Sequence, residues 1–80
     1  MDKQELLKRI TMNPDVMLGK PTIRGMRITV EQIIEALAGG ITVQELLSDY
    51  PQLETEDILA ALAYASELVS EERVFPVQGS

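Results

Sequence analysis

Apolar residues follow two regimes along this chain. From Thr29 onward they recur at helical spacing. Val30, Ile33, Ile34, Leu37 and Ala38 stand at i, i+3, i+4, i+7 and i+8, a single stripe on one helix. Gly39-Gly40 is a stop signal for that helix. A second helix carries Val43, Leu46 and Leu47 and ends at Pro51. A third is predicted from about Glu56 to Ser70, with Ile58, Leu59, Leu62, Ala65, Leu68 and Val69 facing inward. Alanines at 60, 61, 63 and 65 favour helix and let a neighbour approach closely.

Before Thr29 the apolar runs are short. Asp2 to Lys8 reads as a brief helix carrying Leu6 and Leu7, and Arg9-Ile10-Thr11-Met12 as a short strand. Asn13-Pro14-Asp15 is a turn signal, and Gly19 stops the run Val16-Met17-Leu18. Thr22-Ile23 and Arg27-Ile28 flank Arg24-Gly25-Met26, a tight hairpin in which Gly25 takes a positive φ. Such short strands need helices beneath them. The expected fold is therefore mainly α: a small N-terminal β-ribbon followed by a tri-helical, helix-turn-helix-like (homeodomain-like) core. In that mapping the third helix takes the recognition position.

The helix starts are explicit. Ile28-Thr29-Val30-Glu31-Gln32 is echoed by Ile41-Thr42-Val43-Gln44-Glu45. Thr29 and Thr42 are the expected N-caps, and Gln32 and Glu45, three residues on, complete capping boxes. Ile28 with Ile33, and Ile41 with Leu46, have the spacing of a hydrophobic staple. Thr55 is the expected cap of the third helix, with Glu56 and Asp57 set against its positive end.

Size and composition narrow the chemistry. Eighty residues make one domain, 1–80, with a core that is marginal without help. There is no cysteine, so no disulfide or thiolate metal site, and no histidine, the commonest general base. A homodimer is the remaining route to extra stability. Residues 1 to 27 hold Lys3, Lys8, Arg9, Lys20, Arg24 and Arg27 against three acids; residues 28 to 80 hold Arg73 against ten. The molecule is expected to be two-sided in charge. No apolar run is long enough for a membrane span, and the N-terminal MDKQELLKRI lacks the apolar stretch of a signal peptide. A cytoplasmic location is expected.

Gly19-Lys20-Pro21-Thr22 is not a phosphate loop. A proline follows the lysine where Ser or Thr is needed, and it has no N–H to offer a phosphate. The acid pairs Glu31/Glu35, Glu45/Asp49 and Glu67/Glu71 read as a solvated face or a surface for a basic partner, not as a metal site. Hydroxyl side chains have no base beside them to make a nucleophile. No catalysis, cofactor or metal is expected. An acidic first turn in the third helix opposes phosphate contact, so Lys20, Arg24 and Arg27 are the expected nucleic-acid or partner-binding residues. The alternative is that these cations pair with the protein's own acids, such as Glu31. The apolar tail, residues 74–80, offers Val74, Phe75 and Val77 for packing in a dimer.

The string Gly19-Lys20-Pro21-Thr22-Ile23-Arg24-Gly25-Met26-Arg27-Ile28, preceded by Asn13-Pro14-Asp15 and followed by Leu37-Ala38-Gly39-Gly40 and Leu46-Leu47-Ser48-Asp49-Tyr50-Pro51, resembles a bacterial and archaeal family. That family was long catalogued as a domain of unknown function and is often treated as VapB-like antitoxins. The likeness covers residues 9–70. It implies a small helical fold with a helix-turn-helix-like core, and an antitoxin that binds and blocks a PIN-like ribonuclease and represses its own promoter as a dimer on operator DNA. Arg24, Arg27 and Arg73 are then candidates for insertion into the acidic nuclease site. Two positions depart from the family pattern: Met26 stands for a customary Thr and Thr29 for a customary Pro. The other expectation is a stand-alone DNA-binding regulator or adaptor dimer with no toxin partner.

Overall fold

The computed structural model describes residues 1–71, and of Glu71 only its backbone. The tail positions Val74, Phe75 and Val77, and Arg73, lie outside the described residues. Four helices and a two-stranded antiparallel sheet follow in the order α1 (Lys3–Leu7), β1 (Ile10–Thr11), β2 (Thr22–Ile23), α2 (Val30–Ala38), α3 (Val43–Asp49) and α4 (Thr55–Glu71). A one-turn helical loop, Met17–Gly19, lies between the strands. None of these helices is long and apolar enough to cross a membrane.

Asp2 caps α1 by accepting the Glu5 N–H at 2.9 Å. The strands pair with Ile10 opposite Ile23 and Thr11 opposite Thr22. Thr22 and Ile23 are wholly buried, so this small ribbon is sealed by the helices rather than self-supporting. After Ile23 the chain turns tightly: the Met26 N–H donates to the Ile23 carbonyl at 2.8 Å, and the Ile23 N–H to the Ile28 carbonyl at 3.0 Å. Both central residues have positive φ, 46° at Arg24 and 75° at Gly25, the signature of a type I′ turn. The second arm of this hairpin never becomes a strand, because the α2 cap begins at Thr29.

The capping boxes form at both expected places. Thr29 Oγ1 accepts the Gln32 N–H at 3.0 Å while the Thr29 N–H donates to Gln32 Oε1 at 2.8 Å. Thr42 and Glu45 repeat the arrangement at 3.1 and 2.9 Å. Ile28 and Ile33 meet in the core as the first staple requires. The helix α2 ends in a Schellman motif: the Gly40 N–H reaches the Leu37 carbonyl and the Ile41 N–H reaches that of Ala36, each at 3.0 Å, with Gly40 at φ 99°.

Helix α4 departs from expectation in two ways. Thr55 is its first helical residue, not its cap. The cap position falls on Glu54, whose N–H is satisfied by the Asp57 carboxylate at 2.8 Å. Its inward face is also different. Ile58, Ala60 and Ala61 are buried, Tyr64 packs partly against them, and Asp57 is wholly enclosed. Leu59, Leu62, Leu68 and Val69, expected inside, are exposed. An unbroken run of eight non-charged, mostly apolar residues, Ile58 to Ala65, gives the helix no unique apolar face. Its rotation is set instead by the partners of Asp57. The core formed by α2, α3 and α4 then centres on Ile23, Ile28, Val30, Ile33, Leu46, Leu53, Ile58 and Ala61.

Candidate partner-binding surface

The cations expected on one loop are divided by the fold into three situations. Arg24 turns inward on the type I′ turn. Its Nε donates to Asp57 Oδ1 at 2.9 Å and its Nη2 to Oδ2 at 2.7 Å, a bidentate pair. The same Nη2 donates to the Gln52 carbonyl at 3.0 Å. Arg9 joins from the start of β1, with Nη1 2.9 Å from Asp57 Oδ1 and 2.7 Å from Glu54 Oε1. Asp57 thus accepts from two guanidinium groups and one backbone N–H while fully shielded from solvent.

Burial by itself pushes the Asp57 carboxyl up. The Arg24 hydrogen bonds, then the Glu54 N–H and Arg9, outweigh that and hold it below the ordinary carboxylate range. The hydrogen bonds that Arg24 donates to Asp57 likewise raise its guanidinium above the usual value. This network locks the hairpin tip onto the N-terminus of α4. Arg24 is therefore a structural residue in the free chain, where the sequence marked it for binding.

Lys20 is in the second situation. Its Nζ lies 3.1 Å from Glu31 Oε1, both groups more than half exposed. A surface pair of this kind contributes about 0–1 kcal/mol and exchanges readily with another partner.

Arg27 is the third. It is exposed and makes no ion pair or side-chain hydrogen bond with any described residue. It lines an open cleft of about 410 Å³ with Lys20, Pro14, Asp15, Met17 and Leu18. The loop above that cleft is strained. Met17, Leu18 and Gly19 have φ of 50°, 59° and 82°, three consecutive left-handed residues of which only one is glycine. Left-handed backbone costs about 1–2 kcal/mol at a non-glycine residue. Asn13 holds the loop entry, accepting the Asp15 N–H on Oδ1 at 2.9 Å and the Val16 N–H on its carbonyl at 2.8 Å. The strained turn leaves Leu18 92% exposed at its apex.

Two of the three cations marked by the sequence, Lys20 and Arg27, are therefore brought together at this cleft, with Leu18 as an apolar neighbour. Leu18 was not expected there. Only its place directly before Gly19, at the end of an apolar run, hinted at an unusual conformation. Among the described residues no three acids converge as a cation site.

Residues 10–65 match the family described as "Protein of unknown function (DUF433)". An uncharacterized protein, y4eO, of Sinorhizobium fredii (strain NBRC 101917 / NGR234) is 35% identical over 68 residues, covering 82% of this chain but 31% of that protein. The chain thus spans about a third of the length of that relative. The crystal structure of a DUF433 member from Anabaena variabilis ATCC 29413 superposes with a TM-score of 0.74 at 34% identity, covering 85% of this chain and 67% of the other. With a family match over most of its length and a solved member of similar fold, the chain belongs to the DUF433 family.

Proposed function

We propose that this chain is a non-catalytic docking module of the antitoxin type. It binds and neutralises a PIN-like ribonuclease and works as a homodimer. The carrying observation is Arg27, an exposed arginine with no partner among the described residues, standing beside the outward-held Leu18 and the exchangeable Lys20. A nuclease site that gathers acids around a divalent cation presents the complementary charge. Arginine is the side chain suited to a carboxylate cluster because its donors are fixed in a planar fork. Strain concentrated at one exposed loop is a feature of binding sites.

In this reading Arg24 supports the surface without touching the partner. The succession α2, α3, α4 plays the part of a helix-turn-helix core. The start of α4, with Glu54 and Glu56 outside and Asp57 inside, faces away from phosphate chemistry, so any operator contact falls to the loop cations.

The test is co-expression with the product of the neighbouring gene, which this reading takes to be such a nuclease, followed by affinity capture. The wild-type chain retains the nuclease and silences its RNA cleavage; Arg27→Glu releases it. Elution of chain and nuclease as separate species for the wild type would overturn the reading. The second reading, a stand-alone DNA-binding dimer, is favoured by the same Lys20 and Arg27 together with exposed Lys8. It requires a shift of the upstream DNA at low salt that fades steeply as salt rises.

A further inference from the structure

The outward face of α4 carries no charge over four turns. Thr55, Leu59, Leu62, Ser66, Val69 and Ser70 are all exposed, and none is ionisable as an acid or base. The other exposed helix surfaces of this molecule are of the ordinary kind: Glu31, Gln32 and Glu35 on α2, and Gln44, Glu45, Ser48 and Asp49 on α3. On α4 the charged residues lie elsewhere, Glu56 and Glu67 at the flanks and Asp57 inside. The stripe holds two leucines and a valine, with Val69 at 69% exposure and Leu62 at 44%. An uncharged row on the longest helix that exposes three large apolar side chains marks an interaction face.

We infer that this stripe is the contact between two copies of the chain, with the α4 helices packed antiparallel about a two-fold axis. The inference rests on the reading of the chain as a docking module that works in pairs, and it names the face that makes the pair.

Two observations select a second copy as the occupant. The first is spacing. Leu59, Leu62, Ser66 and Val69 are separated by three, four and three residues, a pattern that reads the same from either end of the helix. Reversed against itself about position 64, it sets Leu59 across from Val69 of the other copy and Leu62 across from Ser66. Each contact then places a larger side chain over a smaller one, as interdigitated helix packing needs.

The second observation is charge. The chain carries a formal net charge of −6. Any copy that approaches another brings the same excess of acids. Self-association is therefore least opposed across a face with no acids, and this one qualifies. A basic partner, by contrast, would gain from the acidic flanks and would have no reason to seek the uncharged stripe.

The experiment uses the isolated chain. Sedimentation or light scattering over a concentration series is expected to give twice the chain mass for the wild type. Leu62→Glu is expected to give the single mass, with unchanged helical circular dichroism and cooperative melting, since the site is half exposed. A second measurement fixes the register without relying on that variant. The chain has no cysteine. An equimolar mixture of Leu62→Cys and Ser66→Cys chains, oxidised together, should form a cross-linked dimer several-fold faster than either chain alone.

A wild-type chain that stays at single mass, whether its stripe is covered by its own tail or kept for another protein, overturns the inference. So does a Leu62→Glu chain that remains dimeric, or cross-linking no faster in the mixture. Nuclease capture is scored separately, so a failed pairing and a failed docking reading give different results.

Discussion

At the scale of single residues, Asp57 has the largest consequences. It closes the network of Arg9, Arg24 and the Glu54 N–H, and its carboxyl is held below the ordinary range. A depressed carboxylate contributes stability that is complete above its unfolded value, about 3.9, and is lost as pH falls through the folded value. Acid titration of the wild type, followed by circular dichroism, should therefore show a loss of stability below about pH 4, and Asp57→Asn should flatten that response. The same substitution should destabilise the chain near neutral pH by about 3 kcal/mol, because Arg24 loses its counter-charge and Arg9 keeps only Glu54. The partial exposure of Arg24 keeps the effect at the low end of the range for buried pairs. Denaturant midpoints at neutral pH check the magnitude. Leu18 should behave in the opposite sense. Leu18→Asn, a residue tolerant of left-handed backbone, should raise stability by a few tenths to about 1 kcal/mol while weakening nuclease capture. A melting temperature that falls instead would show that the exposed leucine packs against the free chain in solution.

At the scale of elements, the two capping boxes were readable from the sequence because every contact in them spans three residues. Thr42→Ala should cost about 1 kcal/mol and Thr29→Ala up to about 2, since Thr29 is buried and its box is shielded from water. Urea unfolding of the two variants measures the difference. The hairpin turn at Gly25 and the helix stop at Gly40 were legible for the same local reason, a backbone conformation that glycine adopts without strain. Helix α4 was legible as a helix but not in its rotation. A run from Ile58 to Ala65 with no charge has no preferred inward side. The direction is chosen by Asp57 and its arginines, 33 and 48 residues distant along the chain. Thr55 lost the cap role by the same mechanism: with Asp57 already bonding the Glu54 N–H, the helix begins one residue earlier than a threonine cap would allow.

At the scale of the whole molecule, the charge split along the sequence becomes only partly a split in space. Arg9 and Arg24 are turned to internal acids, and the surface cations that remain at the cleft are Lys20 and Arg27. Binding of a nuclease through so few charges should depend weakly on salt, whereas DNA binding should fall steeply with it. Titrating capture against sodium chloride distinguishes the two, and a steep loss would favour the nucleic-acid reading. By itself the sequence determined the helices, the caps of α2 and α3 and the glycine turns, because each of these depends on neighbours within a turn or two of chain. Only the tertiary structure decided which arginine is structural and which has no partner among the described residues, which face of α4 meets the core, and that Leu18 stands out beside Arg27. Those outcomes depend on groups far apart in sequence meeting in space, and neither periodicity nor composition carries that information.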